Sequence, residues 1–309
     1  MRTPCSRHEI VPPSPHTAMM RSLTILCPAK INFFLDVKGK RPDGFHELYT
    51  VMQTIDLGDE LLLEEHDMSL SLTCDKPGLP VDSRNLCVRA AEAMRRAAGA
   101  LAGVRIRLIK KIPVAAGLGG GSSDAAGMLR GLNRLWRLGM TEEMLRSVAG
   151  GLGSDVPFFI SGGTALCTGR GERIATLPDM PSYPYVLVTP PIAVSTADVY
   201  RSLSAGASPA PVTAEECVRA LSSEDPARLA RALYNRLEII SGAHMRDVAK
   251  IKSILLAHGS LGAQMSGSGP SVYGIARDPA EARRIAGEIK DEIPAGSFLH
   301  WGLTNVPCS

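Results

Sequence analysis

The chain has 309 residues, 45% hydrophobic and 21% charged, with 34 basic against 31 acidic side chains and a formal charge of +3. That composition suits a globular protein with a full core, long enough for two ordinary domains. The charge is too small to argue for nucleic acid or an anionic membrane as partner, and no run of about 18 apolar residues marks a transmembrane helix.

Residues 1–20 hold four prolines, no periodicity and no apolar stretch of a secretory signal. They are expected to be a disordered extension, or to precede a true start near Met19 and Met20. The seven cysteines form no Cys-x-x-Cys pair and the seven histidines show no metal spacing. Free thiols in a reducing cytoplasm are the expectation.

Residues 23–26 and 31–37 read as strands interrupted by Cys27-Pro28-Ala29-Lys30. Arg41-Pro42-Asp43-Gly44 is a turn signal. Residues 49–57 read as a strand, Gly58-Asp59 as a turn, and 60–65 as the returning strand. Leu70 and Leu72 alternate with polar neighbours in another short strand. Residues 83–98 are helical, with Leu86, Ala90, Ala93, Met94 and Ala97 on one face and Gly99 as the C-cap. Val104, Ile106 and Leu108 alternate with Arg105 and Arg107 in a half-buried strand. Arg105, Arg107, Lys110 and Lys111 are either a solvated face or an anion patch.

A glycine-rich stretch follows, and then Ala125, Leu129, Leu132 and Trp136 form one buried helical face. Asp124 falls in the first turn of that helix, where a negative charge suits the dipole. Thr141 caps the next helix and Gly150-Gly151 closes it. A shift to proline and polar residues around 178–184 marks a domain boundary. Beyond it come a strand at 185–189, a loop at 205–211, helices at 213–221, 226–237 and 244–258, strands at 262–265 and 272–276, a helix at 279–292 and a strand at 298–303. That alternation suggests a small α+β sandwich, helices over one antiparallel sheet.

The glycine-rich stretch is Pro113, Val114, Ala115, Ala116, Gly117, Leu118, Gly119, Gly120, Gly121, Ser122 and Ser123. Glycines allow positive φ and close approach, and a helix N-terminus behind them makes an anion cradle. No Lys follows the glycines, so this is no standard P-loop. The Rossmann spacing fails at its third glycine, and antiparallel strands precede the loop. A protein-kinase glycine loop lies in a hairpin rather than before a helix.

With Pro28-Ala29-Lys30-Ile31-Asn32 before it and Ser266-Gly267-Ser268-Gly269-Pro270-Ser271 after it, the loop resembles the three motifs of the GHMP kinase superfamily, in order over residues 28–276. The resemblance implies an α+β fold of two domains: an N-terminal ribosomal protein S5 domain 2-like unit at 21–180, and a C-terminal ferredoxin-like α/β sandwich at 181–309. Arg41 to His46 and Leu152-Gly153-Ser154-Asp155-Val156-Pro157 resemble one branch. That branch uses ATP to phosphorylate the 2-hydroxyl of a cytidine diphosphate methylerythritol in the non-mevalonate isoprenoid pathway. Homoserine- or mevalonate-type kinases, and a non-catalytic nucleotide-binding regulator, remain the alternatives.

Carried over residue by residue, the resemblance implies that 113–123 bind ATP, that Asp155 is the base and that Lys30 is its cationic partner. Asp155 could equally cap the helix near Pro157. His46 reads the cytosine edge, Tyr200 and Phe45 flank the base, and Asn32 and Thr196 touch the substrate. Phe45 stands where the family commonly has tyrosine; it keeps the ring and loses the hydroxyl. Gly267, Ser268 and Gly269 close over the reacting end. Mg²⁺ is expected with ATP, with Ser122 or Ser123 as a possible hydroxyl ligand or simply a helix cap. The expected partner is a small-molecule substrate, and the expected state a monomer or weak homodimer.

Overall fold

The computed structural model describes residues 21–42, 44, 46–99, 102–202, 209–239, 244–306 and 308. The expected N-terminal extension, Phe45 and most of the expected loop at 205–211 lie outside them.

The first sheet is built on two long strands. β1 (Ser22–Lys40) pairs antiparallel with β2 (His46–His66). The interruption expected at Cys27–Lys30 is instead an irregularity inside one strand, where the register shifts between Pro28 and Lys30. Such a shift bends a strand and re-aims its side chains. The turn expected at Gly58-Asp59 is absent too. Gly58 is there for closeness: a Cβ on it would stand 3.2 Å from the Cys27 carbonyl oxygen. The turn at Arg41 is present, closed by Gly44 N–H to Arg41 O at 3.1 Å.

β3 (Leu70–Cys74), β4 (Gly103–Ile109), β5 (Thr164–Gly169) and β6 (Arg173–Thr176) extend this sheet, in the order β3-β4-β2-β1 with β5 on the other half of β2 and β6 beyond it. α1 (Leu86–Ala98) and α2 (Gly120–Leu135) cover one face. α1 starts later than expected because Asn85 caps it, accepting from the Cys87 N–H at 2.9 Å; Gly99 ends it at φ 58° as expected. Its buried face is Cys87, Val88, Ala90, Ala91 and Met94, with Ala97 outside. α2 is buried nearly all round, and a Cβ on Gly127 or Gly131 would collide with Cys27 or Leu63 of the sheet beneath. α3 (Glu142–Gly150) begins at Thr141 as expected, and α4 (Phe158–Ser161) follows.

The second sheet is antiparallel throughout. Its order is β11 (Phe298–Leu303), β7 (Pro184–Thr189), β10 (Val272–Ile275), β9 (Gly262–Met265). α8 (His244–Ala257) and α9 (Pro279–Glu288) pack on it. α5 (Thr196–Arg201) and α6 (Ala214–Leu221) precede them, the latter opened by a capping box between Thr213 and Glu216.

The helix expected over 226–237 stops at Arg231 as α7 (Pro226–Arg231). Tyr234–Asn235 then forms β8, which joins the first sheet parallel to β1. Tertiary bonds override the helical pattern here: the Asn235 amide donates to the carbonyls of Met265 and Gly267, both at 2.8 Å. Among the described residues no helix is long and apolar enough to cross a membrane, and the cysteines are free.

Candidate active site

One cleft of about 920 Å³ gathers most of the sequence-predicted residues. Its floor is the glycine loop, which leaves β4 at Ile109 and enters α2 at Gly120. Gly117 and Gly119 take φ of 75° and 73°, and Ala115 takes 52°. Gly119 is the N-cap of α2 and supplies no side-chain acceptor. The first-turn N–H groups of a helix have no intrahelical partner, so this end can meet an anion. The helix therefore starts earlier than expected, and Asp124 lies beyond its first turn.

The two glycine loops interlock. A Cβ on Gly117 would fall on the carbonyl oxygen of Ser266, and one on Gly119 would stand 2.8 Å from the Phe159 ring. The Ser266 hydroxyl donates to Gly117 O at 3.0 Å. In turn Thr196 and Ser268 share a hydroxyl–hydroxyl bond of 2.8 Å, tying α5 to the second loop.

Lys30 is 3% exposed. Its ammonium donates to Asn32 Oδ1 at 2.7 Å and to Gly117 O at 2.8 Å. The Asn32 amide donates in turn to Thr50 Oγ1 at 2.8 Å, and that hydroxyl donates to Phe34 O at 2.7 Å. The second sheet buttresses the same strand, with Gln264 Nε2 and the Tyr273 hydroxyl both donating to Asn32 O at 2.9 Å. Burial pushes the Lys30 ammonium below its ordinary value, while the Asp155 charge pulls it back up.

Asp155 lines the cleft from the turn between α3 and α4. α4 is capped at Pro157 with no side-chain hydrogen bond, so Asp155 is not serving as its cap. Among the described residues nothing hydrogen-bonds its carboxylate and no ion pair joins it to Lys30; two of the three Lys30 N–H donors go to Asn32 and Gly117. The two are coupled through space instead.

At one end of the cleft the rings of His46 and Tyr200 stack with centroids 5.6 Å apart and planes at 30°. Burial first, and then the Asp155 charge, push the Tyr200 phenol up. Thr196, Gly267 and Ser268 line this region, and Asn32 opens onto it. Phe45 lies outside the described residues, and Ser123 and Gly269 lie outside the cleft lining.

The cleft is also lined by Leu79, Pro80, Arg84, Asn85 and Leu86, which the sequence did not single out. Lys40, Arg170 and Arg201 line it too and were likewise not singled out. Lys40 ends β1, Arg170 lies in a turn and Arg201 ends α5, so no shared periodicity singles them out. The solvated face holds for Arg105, Arg107 and Lys111, which are exposed, and fails for Lys110. Arg105 pairs with Glu64 at 3.0 Å, while Lys110 is buried against Asp59 and Asp124.

Among the described residues no group of three or more His, Cys, Asp or Glu could hold a metal. Ser122 does line the cleft, and the buried Ser123 hydroxyl has no hydrogen-bond partner. These residues suit a metal carried in on phosphate oxygens rather than one held by the protein alone.

Residues 85–163 match the GHMP kinases N terminal domain, and residues 217–295 match the GHMP kinases C terminal domain. A 4-diphosphocytidyl-2-C-methyl-D-erythritol kinase of Pelotomaculum thermopropionicum is 48% identical over 265 residues, spanning 85% of this chain and 92% of that protein. A solved 4-(cytidine 5'-diphospho)-2C-methyl-D-erythritol kinase superposes with a TM-score of 0.78 at 34% identity, covering 92% of this chain and all of that one. A homoserine kinase from Cytophaga hutchinsonii superposes at 0.71 with 23% identity, covering 94% and 96%, a likeness of fold alone. With loop, lysine and aspartate in one cleft and relatives this similar over most of its length, the chain belongs to the GHMP kinase family, among the 4-diphosphocytidyl-2-C-methyl-D-erythritol kinases.

Proposed function

We propose that this protein transfers the γ-phosphoryl group of ATP to the 2-hydroxyl of 4-diphosphocytidyl-2-C-methyl-D-erythritol, giving the 2-phosphate and ADP. The observation that carries the reading is the convergence of Lys30, Asp155 and the glycine loop on one cleft that also holds His46 and Tyr200. Phosphoryl transfer asks a protein mainly to position groups and offset charge.

Residues 113–123 cradle the phosphates. The hydroxyl oxygen attacks the γ-phosphorus, the bond to the β,γ-bridging oxygen breaks, and ADP leaves. Asp155, open in the cleft, takes or orients the hydroxyl proton. Lys30 offsets charge as it builds on the transferring group. Mg²⁺ bound with ATP would add charge neutralisation at the phosphates, with Ser122 or Ser123 as its hydroxyl ligand. His46 and Tyr200, with Phe45, form the cytosine site. Asn32, Thr196 and residues 267–269 bound the erythritol end. The Asn32 amide is held by Lys30 at its oxygen and by Thr50 at its nitrogen, which fixes its orientation and leaves its second N–H for the substrate.

The reading also takes the chain as two domains meeting near residue 180, with residues 1–20 an extension, working in the cytoplasm as a monomer or weak homodimer. The test is ADP release with the cytidine diphosphate substrate, set against homoserine and mevalonate. Release that depends on the first alone is expected. Release indifferent to that substrate overturns the substrate class, and no release with any alcohol leaves only a nucleotide-binding protein.

A further inference from the structure

Beside the glycine loop lies a group of buried charges given no part in the chemistry above, although Lys110 and Asp124 also reach the cleft lining. Asp59 of β2 is fully buried. Its Oδ1 accepts the N–H of Lys111 at 2.6 Å and of Ile112 at 2.8 Å, the residues that lead into Pro113. Its Oδ2 meets the Lys110 ammonium, which also donates to Asp124 Oδ2 of α2 at 2.8 Å. Both ends of the loop are thus tied to one carboxylate on the central strand. Asp59 holds the leading end through two backbone bonds and the trailing end through Lys110 and Asp124.

Two carboxylates and one ammonium in the interior are an expensive arrangement for stability alone, since apolar side chains of similar volume commonly do as well or better. Burial works against the Lys110 ammonium, but Asp124 and Asp59 outweigh it and hold it charged. Breaking such a group at one member leaves an uncompensated buried charge. The geometry gives the expense a use. The loop between Ile112 and Gly120 carries three residues at positive φ, Ala115, Gly117 and Gly119, and its amides serve a phosphate only if held to within about half an ångström.

We propose that Asp59, Lys110 and Asp124 form a buried clamp that fixes the spacing of the two ends of the glycine loop, making Asp59 and Asp124 positioning residues for ATP. The clamp rests on the kinase reading of the cleft, and it acts on the nucleotide alone.

The test measures ATP and alcohol-substrate affinity separately, by calorimetry and by KM, in Asp59→Asn, Asp124→Asn and Lys110→Met. Each variant is expected to weaken ATP binding by about tenfold or more, with the KM for the alcohol within about threefold of wild type and kcat largely kept at saturating ATP. The Lys110→Met and Asp124→Asn effects are expected to be non-additive in the double variant, because they break the same contact. A merely structural role would lower the melting temperature and leave the ATP affinity of the folded molecules unchanged; that result overturns the clamp, as does an equal loss for both substrates. Should Asp59→Asn not fold, Asp124→Asn decides alone, and unchanged ATP affinity there is fatal. A wild-type protein that does not bind ATP would instead sink the kinase reading.

Discussion

The ammonium of Lys30 donates to the carbonyl oxygen of Gly117 at 2.8 Å, the same oxygen that takes the Ser266 hydroxyl. One atom of the glycine loop therefore joins the first strand of the chain to its last glycine motif. Lys30 both locks the loop and presents its charge to the cleft.

Replacing Lys30 with Met should cut kcat by about a hundredfold to a thousandfold, the range seen when a single charge-stabilising donor is removed. Burial holds the ammonium below the ordinary lysine value, so the wild-type rate should fall on the alkaline side before pH 10.5 is reached. The charged form of a group with a depressed value is lost as pH rises through that lowered value, ahead of an unfolded-chain lysine. Rate against pH checks this; a profile flat through pH 10.5 would remove Lys30 from the charge balance.

Asp155→Asn should lower kcat by about 10²- to 10⁴-fold with ATP binding nearly intact. Because the Asp155 charge props up Lys30, the remaining activity should also fail at a lower pH than in the wild type. Steady-state rates and calorimetric ATP binding on one preparation separate the two effects. Retained turnover would take the base role away from Asp155.

The stacked rings of His46 and Tyr200 stand 5.6 Å apart, whereas a base between two rings needs about 7 Å, twice an aromatic contact distance. The cytosine must part the pair or lie outside it. Tyr200→Leu should raise the KM for the cytidine substrate by about tenfold and leave that for ATP alone. Cytidine diphosphate should also change wild-type tyrosine fluorescence. Equal KM values in the two proteins would move the base elsewhere.

Asp56 joins the two sheets, accepting from the Tyr185 hydroxyl at 2.7 Å, the Leu303 N–H at 2.9 Å and His300 Nε2 at 3.2 Å. Burial alone would push its carboxyl up, but the bonds from His300, Leu303 and Tyr185 win and hold it below 3.8. A depressed carboxylate contributes stability above its unfolded value and loses it as pH falls through the folded one. Asp56→Asn should therefore melt at lower temperature at pH 7, and the gap from wild type should narrow below pH 3.8. Thermal melts at both pH values test the sign.

The phosphate-facing half of the site was legible because it is local. Residues 113–123 form a continuous motif, and Lys30 and Asp155 each sit in a short distinctive string. Strands in strict alternation, such as β4, and helices with a capping residue, such as those behind Thr141 and Thr213, were legible for the same reason. Asp59 was hidden because Gly-Asp spells a turn, while here the glycine admits the neighbouring strand and the aspartate turns inward. Lys110 looked like one more basic residue until Asp59 and Asp124 met it from other elements. Tyr234 and Asn235 were lost in a helical pattern that their own long-range hydrogen bonds overrule.

Those two residues have a bearing on how the protein melts and how it could be divided. β8 pairs with β1 at Phe34 and Leu35, yet it comes from beyond residue 180, and Asn235 grips the loop at Gly267 with the same amide. A fragment ending near 180 would leave that edge of β1 unpaired, open to the strand of another molecule. The two sheets should therefore melt in a single transition, and a split at the proposed boundary should yield sticky pieces rather than two working halves.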